Sequence, residues 1–154
     1  MPDRFEVHPI GSVKCAVIEM SQGGWAKIDS EIHLEPQYAR GLQGLEGFSH
    51  ILVVFFLDRA QGFDPAKQLL RRPRGMEDMH EVGVFAQRTK FRPNPIAVTA
   101  VKLLAIAGNI VKVRGLDALD GTPVLDLKPY LPPFDRVDDV KMPPWVGHVM
   151  EGYF

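Results

Sequence analysis

A chain of 154 residues with 45% apolar content can bury one sizeable core, and dividing it would leave two halves each too small to fold alone. No apolar run approaches the roughly 18 residues of a membrane span, and the start MPDRFEVHPIG places acidic and polar residues where a signal peptide needs its apolar centre, so a soluble cytoplasmic domain with no membrane partner is expected. The lone Cys15 excludes an internal disulfide and a thiolate metal cluster, and a net charge of −1 means that a nucleic-acid partner needs a local basic patch.

In chain order, Val13 to Met20 carries a weak period-2 pattern. From Ala26 to Leu34 the pattern is strong: Ala26, Ile28, Ser30, Ile32 and Leu34 alternate with polar residues, which predicts a half-buried strand. Gly41, Gly44 and Gly47 read as turns between strands. Ile51 to Leu57 is continuously apolar, with the composition of a strand covered on both faces, and a short helix is the alternative. Asp64-Pro65 reads as an N-cap followed by proline at the first helical position, leading into Ala66 to Leu70. Ile96 to Ile106 is a second long apolar run, and Ala107-Gly108-Asn109 turns it into a hairpin with Ile110 to Arg114. Asp120-Gly121 is a turn dipeptide before a strand from Val124 to Lys128. The proline-rich tail from Pro132 to Pro144 excludes a regular central strand or helix, so it should wrap the surface or meet a partner. Frequent turns between short strands point to a mainly β chain closed as a barrel or curled sheet, with one or two short helices.

Several chemistries lack their residues. There is no G-x-G-x-x-G turn after a first strand, so a doubly wound nucleotide fold is not expected. His8, His33, His50, His80 and His148 stand singly, without the paired spacing of a metal site. Ser49 and His50 are adjacent, and strand alternation would send them to opposite faces, which argues against a nucleophile-base pair.

Two loop-rich segments hold the chemistry. In GVFAQRTKFRPN (Gly83 to Asn94), Pro93-Asn94-Pro95 stiffens the backbone that presents Arg88 and Arg92, whose guanidiniums suit a carboxylate or phosphate. The structural alternative is that both arginines pair with Asp117 or Asp120. In GLDALDGTPVLDLKPYLPPFD (Gly115 to Asp135), one of Asp117, Asp120 and Asp126 serves the turn itself. Together with Lys128 and Tyr130 they read as a polar pocket wall for hydroxyls, an ammonium, a sulfonium or a base. Asp126, inside a strand, fits a turn role worst. Arg71, Arg72 and Arg74 form a basic cluster, and Arg88, Lys90 and Arg92 a second; a solvated face is the plain reading of the first.

GFSHILVVFF (Gly47 to Phe56), GVFAQRTKFRPNPIAVTAVKLL (Gly83 to Leu104) and LDALDGTPVLDLKPYLPPFD (Leu116 to Asp135) resemble the three signature blocks of the TrmO, or TsaA-like, S-adenosylmethionine-dependent tRNA methyltransferases. VHPIGSV (Val7 to Val13) resembles the family's first strand, and the likeness runs from about Glu6 to Asp135. Thr89-Lys90 and Gly23-Gly24-Trp25 depart from the family's pattern.

The resemblance implies a single-sheeted antiparallel β-barrel over residues 1–135, with residues 136–154 a tail on the barrel or on a dimer partner. It implies a homodimer with S-adenosylmethionine near the subunit interface and no metal. The implied reaction is methylation of N6 of threonylcarbamoyladenosine at position 37 of a threonine tRNA. By match to the blocks, Phe85, Ala86, Arg88, Arg92 and Asn94 would contact the cofactor from one side, and Leu116, Asp117, Leu119 and Asp120 from another, with Ser49 and His50 close by. Asp126, Lys128 and Tyr130 would lie toward the target base as the catalytic group, and Arg71, Arg72, Arg74 and Lys90 would meet tRNA phosphates. A non-catalytic barrel that binds S-adenosylmethionine or a related nucleoside is the alternative.

Overall fold

Alternating apolar side chains need a common interior, and in this chain they obtain it by closing one sheet on itself. The computed structural model describes residues 3–19, 23–60 and 62–154. In chain order the elements are β1 (Gly11–Lys14), β2 (Asp29–Leu34), β3 (His50–Phe56), α1 (Pro65–Gln68), β4 (Leu70–Arg71), β5 (Val82–Gly83), β6 (Ile96–Ala107), β7 (Ile110–Arg114), β8 (Pro123–Pro129), α2 (Pro132–Asp135) and α3 (Trp145–Met150). The closed barrel runs β1-β2-β7-β6-β3-β8, with antiparallel pairing between neighbours, while β4 and β5 form a separate two-stranded ribbon.

The interior is filled from alternate positions: Ile51, Val53 and Phe55 of β3, Val101 of β6, and Val111 and Val113 of β7 are all within 1% of full burial. Each such side chain contributes roughly 1.5–3 kcal/mol by leaving water. The other face of β3 is only partly covered, so its continuous apolar run does not mean burial on both sides. The barrel takes one face as core and leaves Leu52, Val54 and Phe56 on the outside.

The strand predicted from Ala26 begins instead at Asp29. Gly24 adopts a left-handed conformation (φ 79°) and Trp25–Lys27 form a 3-10 turn, because Trp25 is buried and its amide donates to the Tyr153 carbonyl at 3.1 Å. β1 ends at Lys14, short of the predicted extent, because the Asp120 side chain takes the Cys15 amide at 3.0 Å; Met20 lies outside the described residues. Gly44 (φ 89°) separates 3-10 turns at Pro36–Leu42 and Leu45–Gly47. The Asp64 carboxylate caps α1 by accepting from the Ala66 amide at 2.9 Å, and Pro65 stands where no donor is needed, as expected, but the helix stops at Gln68 instead of reaching Leu70, which in β4 pairs with Gly83. In the proline-rich tail, Pro132 likewise opens α2, a single helical turn that the proline content alone argued against.

β6 places the site. Its 12 residues serve two neighbours in succession: Ile96 to Lys102 pair with β3, and Lys102 to Ala107 pair with β7, with a bulge between Leu103 and Ala105. The first half of β6 therefore has no β7 beside it. That edge is available to loops.

Candidate functional site

The two loop-rich segments arrive at consecutive residues on this edge. Arg88 Nη1 donates to the Val98 carbonyl at 3.3 Å, and Thr99 Oγ1 donates to Asp117 Oδ1 at 2.5 Å. Gly115 (φ 93°) ends β7 and lets the chain cross beside β6, where Leu116 and Ala118 are buried in the barrel core and hold Asp117 between them. Tyr153 Oη donates to the second oxygen, Asp117 Oδ2, at 2.6 Å. Burial and the neighbouring carboxylate push the Tyr153 phenol above its ordinary range, so it remains a donor.

On the facing segment, Val84–Ala86 form a 3-10 turn that leaves Phe85 75% exposed. Arg92 Nη1 donates to the carbonyls of Gln87 (3.1 Å) and Thr89 (3.0 Å). It thereby closes the 87–92 loop on itself. Neither Arg88 nor Arg92 forms an ion pair with a carboxylate among the described residues, so the pairing with Asp117 or Asp120 weighed as an alternative is not made. Their remaining donors are open to a ligand. Asn94 accepts from the Ile96 amide at 2.7 Å through its backbone carbonyl and sets the entry into β6.

Asp120 is the aspartate that serves the turn. Besides holding Cys15, its carbonyl accepts from Arg59 Nη2 at 3.1 Å, and Gly121 (φ 83°) follows. Leu116 is fully buried in the core and Leu119 nearly so, so a ligand would meet this stretch through its main chain and Asp117.

The third group lies elsewhere on the barrel. His50 pairs with Lys102, four residues along β6 from Val98, about 13 Å at the usual rise per strand residue. Ser49 Oγ and His50 Nδ1 are hydrogen-bonded at 2.8 Å, contrary to the expectation from strand alternation: Ser49 precedes β3 and is not bound by its pleat. The Tyr130 amide donates to the His50 carbonyl at 3.1 Å, which puts Tyr130 at this same end.

Asp126 and Lys128 face outward, opposite Val54 and Leu52 of β3, and Lys128 Nζ lies 2.6 Å from Asp126 Oδ2. That pairing raises the Lys128 ammonium above its ordinary pKa. Asp126, Val54 and Val98 occupy one row across β8, β3 and β6. The same outer face carries Ile96 and Val98, 44% and 41% exposed. The chain thus brings Arg88 and Asp117 to adjacent residues of β6, with Phe85 and Arg92 on the Arg88 segment, leaves Ser49, His50 and Tyr130 at another place, and sets Asp126 in the row of Val98.

The two basic clusters are partly merged. The Arg71 guanidinium stacks 3.8 Å from the Phe91 ring centroid, and Lys90 Nζ lies 5.2 Å from it. Gln87 Nε2 ties the segments by donating to the carbonyls of Arg71 and Val82, both at 2.9 Å. Arg72 turns to the Glu77 carbonyl, and Arg74 donates to the Val149 carbonyl at 2.7 Å, away from the others. Among the described residues, no group of three His, Cys, Asp or Glu is placed to hold a metal ion.

The family described as the tRNA-methyltransferase O N-terminal domain matches residues 20–136. The chain belongs to the TrmO family. It is 42% identical over 138 residues to a probable S-adenosyl-L-methionine-binding protein of Methanothermobacter thermautotrophicus, covering 86% of this chain and 95% of that one. It is also 42% identical over 115 residues to a protein of the same description from Pyrococcus abyssi, covering 75% of this chain and 59% of that one. Against the tRNA (adenine(37)-N6)-methyltransferase of Escherichia coli K12, identity is 38% over 148 residues, covering 88% of this chain and 61% of the other. The crystal structure of TrmO from Pseudomonas aeruginosa superposes with a TM-score of 0.75 at 29% identity over 94% of this chain, which is 62% of that chain. The chain therefore spans about three-fifths of the length of several TrmO-family relatives and nearly all of another.

Thr99 and Tyr153 were not legible as site residues. Thr99 is the one hydroxyl in an apolar run, which is a usable signal. Tyr153 lies beyond the matched TrmO domain, and nothing near it in the sequence points to Asp117.

Proposed function

We propose that this TrmO-family chain methylates N6 of an adenine at position 37 of tRNA with S-adenosylmethionine, and that the adenine is the threonylcarbamoylated one of a threonine tRNA. The observation that supports it best is the meeting of the Arg88 and Asp117 loops at Val98 and Thr99, which sets open guanidinium donors, a held carboxylate and an exposed aromatic ring near one another. That donor set fits S-adenosylmethionine, which carries a carboxylate, an ammonium, a sulfonium, ribose hydroxyls and a purine. Arg88 or Arg92 would take the carboxylate, Asp117 the ammonium or a hydroxyl, and Phe85 the purine or the sulfonium. Names of relatives support adenine 37 of tRNA as the target: the E. coli, mouse and human proteins are tRNA (adenine(37)-N6)-methyltransferases. The threonylcarbamoyl group and the threonine tRNA rest on the resemblance of the three sequence blocks.

When bound, S-adenosylmethionine supplies an already activated methyl group, so the protein's work is to position the amine and exclude water. The adenine amine is a weak nucleophile because its lone pair is delocalised into the ring. A carboxylate accepting from N6–H would localise that pair and take the proton as the methyl passes from the sulfonium sulfur to N6, leaving the neutral thioether S-adenosylhomocysteine. Asp126 fills this role through Oδ1, because Lys128 Nζ occupies Oδ2. Lys128 also faces an incoming phosphate or threonyl carboxylate, and Tyr130 stacks or donates. Arg71 and Lys90, fanned around Phe91, meet the tRNA backbone.

The enzyme works as a homodimer in this reading. Ile96, Val98, Leu52, Val54 and Phe56 make an apolar outer face, and a second copy laid across it can bring its Ser49, His50 and Tyr130 to the Arg88 and Asp117 locus. A second reading, a barrel that binds the cofactor without catalysis, is favoured by the names of the archaeal relatives. One assay separates them: labelled methyl transfer to bulk tRNA, and to threonine tRNA with and without the threonylcarbamoyl group. Transfer that requires the group supports the full proposal. Cofactor binding with no transfer to any tRNA would establish the binding module.

A further inference from the structure

The C-terminal strap reaches the proposed cofactor site although it lies outside the matched domain. Its anchoring is partly by side chains, His148 Nε2 to Asp78 Oδ2 at 2.8 Å and the buried Val149, and partly main-chain. The amides of Gly24 and Trp25 donate to the carbonyls of Gly152 (3.0 Å) and Tyr153 (3.1 Å), and Arg74 Nη1 holds the Val149 carbonyl at 2.7 Å. The Arg74 guanidinium also lies 5.6 Å from the Tyr153 ring centroid. Gly23 lets the strap come this near, since a β-carbon there would sit 2.0 Å from the Gly152 carbonyl oxygen. The strap thus has a built seat, and the seat delivers one hydroxyl to one carboxylate.

We propose that Tyr153 is a positioning residue for cofactor binding, its hydroxyl together with that of Thr99 locking the Asp117 carboxylate in the orientation that meets the ligand. The inference rests on the proposed cofactor role of Asp117. Both carboxylate oxygens receive a hydroxyl, at 2.5 Å from Thr99 and 2.6 Å from Tyr153, the short lengths of charge-assisted bonds. Each oxygen keeps a further lone pair for a ligand's ammonium or hydroxyl. The loop itself does not need Tyr153, because Leu116 and Ala118 on either side of Asp117 are held in the barrel core. What the Tyr153 bond adds is a fixed side-chain rotamer. A carboxylate oriented before binding loses less freedom when the ligand arrives, and the gain appears in affinity.

The test is calorimetric titration of S-adenosylmethionine into the full chain, its Tyr153→Phe and Asp117→Ala variants and their combination, with thermal melts to show that each is folded. Tyr153→Phe keeps the ring and should raise the dissociation constant about fivefold while kcat at saturating cofactor stays within about twofold. Asp117→Ala should raise it about twentyfold, and adding Tyr153→Phe to it should change little, because the hydroxyl acts through that carboxylate. Gly23→Ala, which displaces the strap without altering either side chain, should weaken binding in the same direction. Tyr153→Phe binding as tightly as the parent, or tighter, beside a weakened Asp117→Ala would overturn this inference alone. So would a full additive loss in the double variant, which would mean an action independent of Asp117. A parent chain that binds no cofactor refutes the proposed function and this inference with it.

Discussion

Asp117 and Asp126 sit in opposite settings. Asp117 lies between two core residues and takes hydroxyls on both oxygens, whereas Asp126 stands on the outer face of β8 with a partly exposed ammonium as its partner. Neutral hydroxyls that are themselves anchored make a carboxylate a fixed template. A lysine on a flexible stem can yield a carboxylate oxygen to a new partner, and an exposed pair of this kind is worth little to stability. On the proposed function, the contrast suits the first aspartate to binding and the second to chemistry.

The largest effect that tests this division is on rate. Asp126→Asn should lower single-turnover methylation about a hundredfold or more, the scale of a lost general base, with cofactor affinity nearly unchanged. Full rate with retained binding would remove Asp126 from the chemistry. Asp117→Ala should do the reverse, weakening cofactor binding about twentyfold while the rate at saturation holds within a few-fold. If both variants lost rate and affinity equally, the two carboxylates would share one role.

A smaller effect concerns tRNA. Replacing Arg71 and Lys90 by alanine should weaken tRNA binding and reduce the slope of its logarithm against log salt by about one per residue, with cofactor titration unaltered. An unchanged slope would remove the Phe91 platform from the interface.

The smallest effect is on stability. Tyr153 titrates above its unfolded value of 10.0 because it is buried beside Asp117. Above that pH the unfolded chain loses the phenol proton while the folded one keeps it, so stability is full below about pH 10 and falls as pH rises toward the folded pKa. The lead of the parent over Tyr153→Phe in thermal melts should therefore be constant from pH 9 to about 10 and shrink as pH rises to about 11. A constant difference across that range would contradict the burial of the hydroxyl.

The barrel was largely readable from pattern. Period-2 alternation located β2, the apolar runs located β3 and β6, and Gly108-Asn109 located the turn to β7. What local pattern cannot show is which neighbours a strand has, so the half of β6 that pairs on one side only, beside which the candidate site lies, was invisible. The same limit explains β1 and Ser49: a single distant side chain, Asp120, ends the first, and the position of the second just outside the pleat permits its bond to His50. Residue types at the candidate site stood out in the sequence as guanidiniums on a stiff turn and clustered aspartates, although Arg92 and Asp120 also serve their own loops. The partners of Asp117 did not stand out, since Thr99 to Asp117 spans 18 positions and Asp117 to Tyr153 spans 36.

The most direct measurement is a crystal structure of the chain with S-adenosylhomocysteine. We expect the ligand beside the first half of β6, with its carboxylate on Arg88 or Arg92 and a polar group within hydrogen-bond distance of Asp117, and residues of a second copy near Ser49 and His50 completing the pocket. Ligand bound instead in the cleft lined by Arg74, Met76, His148 and Glu151, with the Arg88 and Asp117 loops empty, would contradict it.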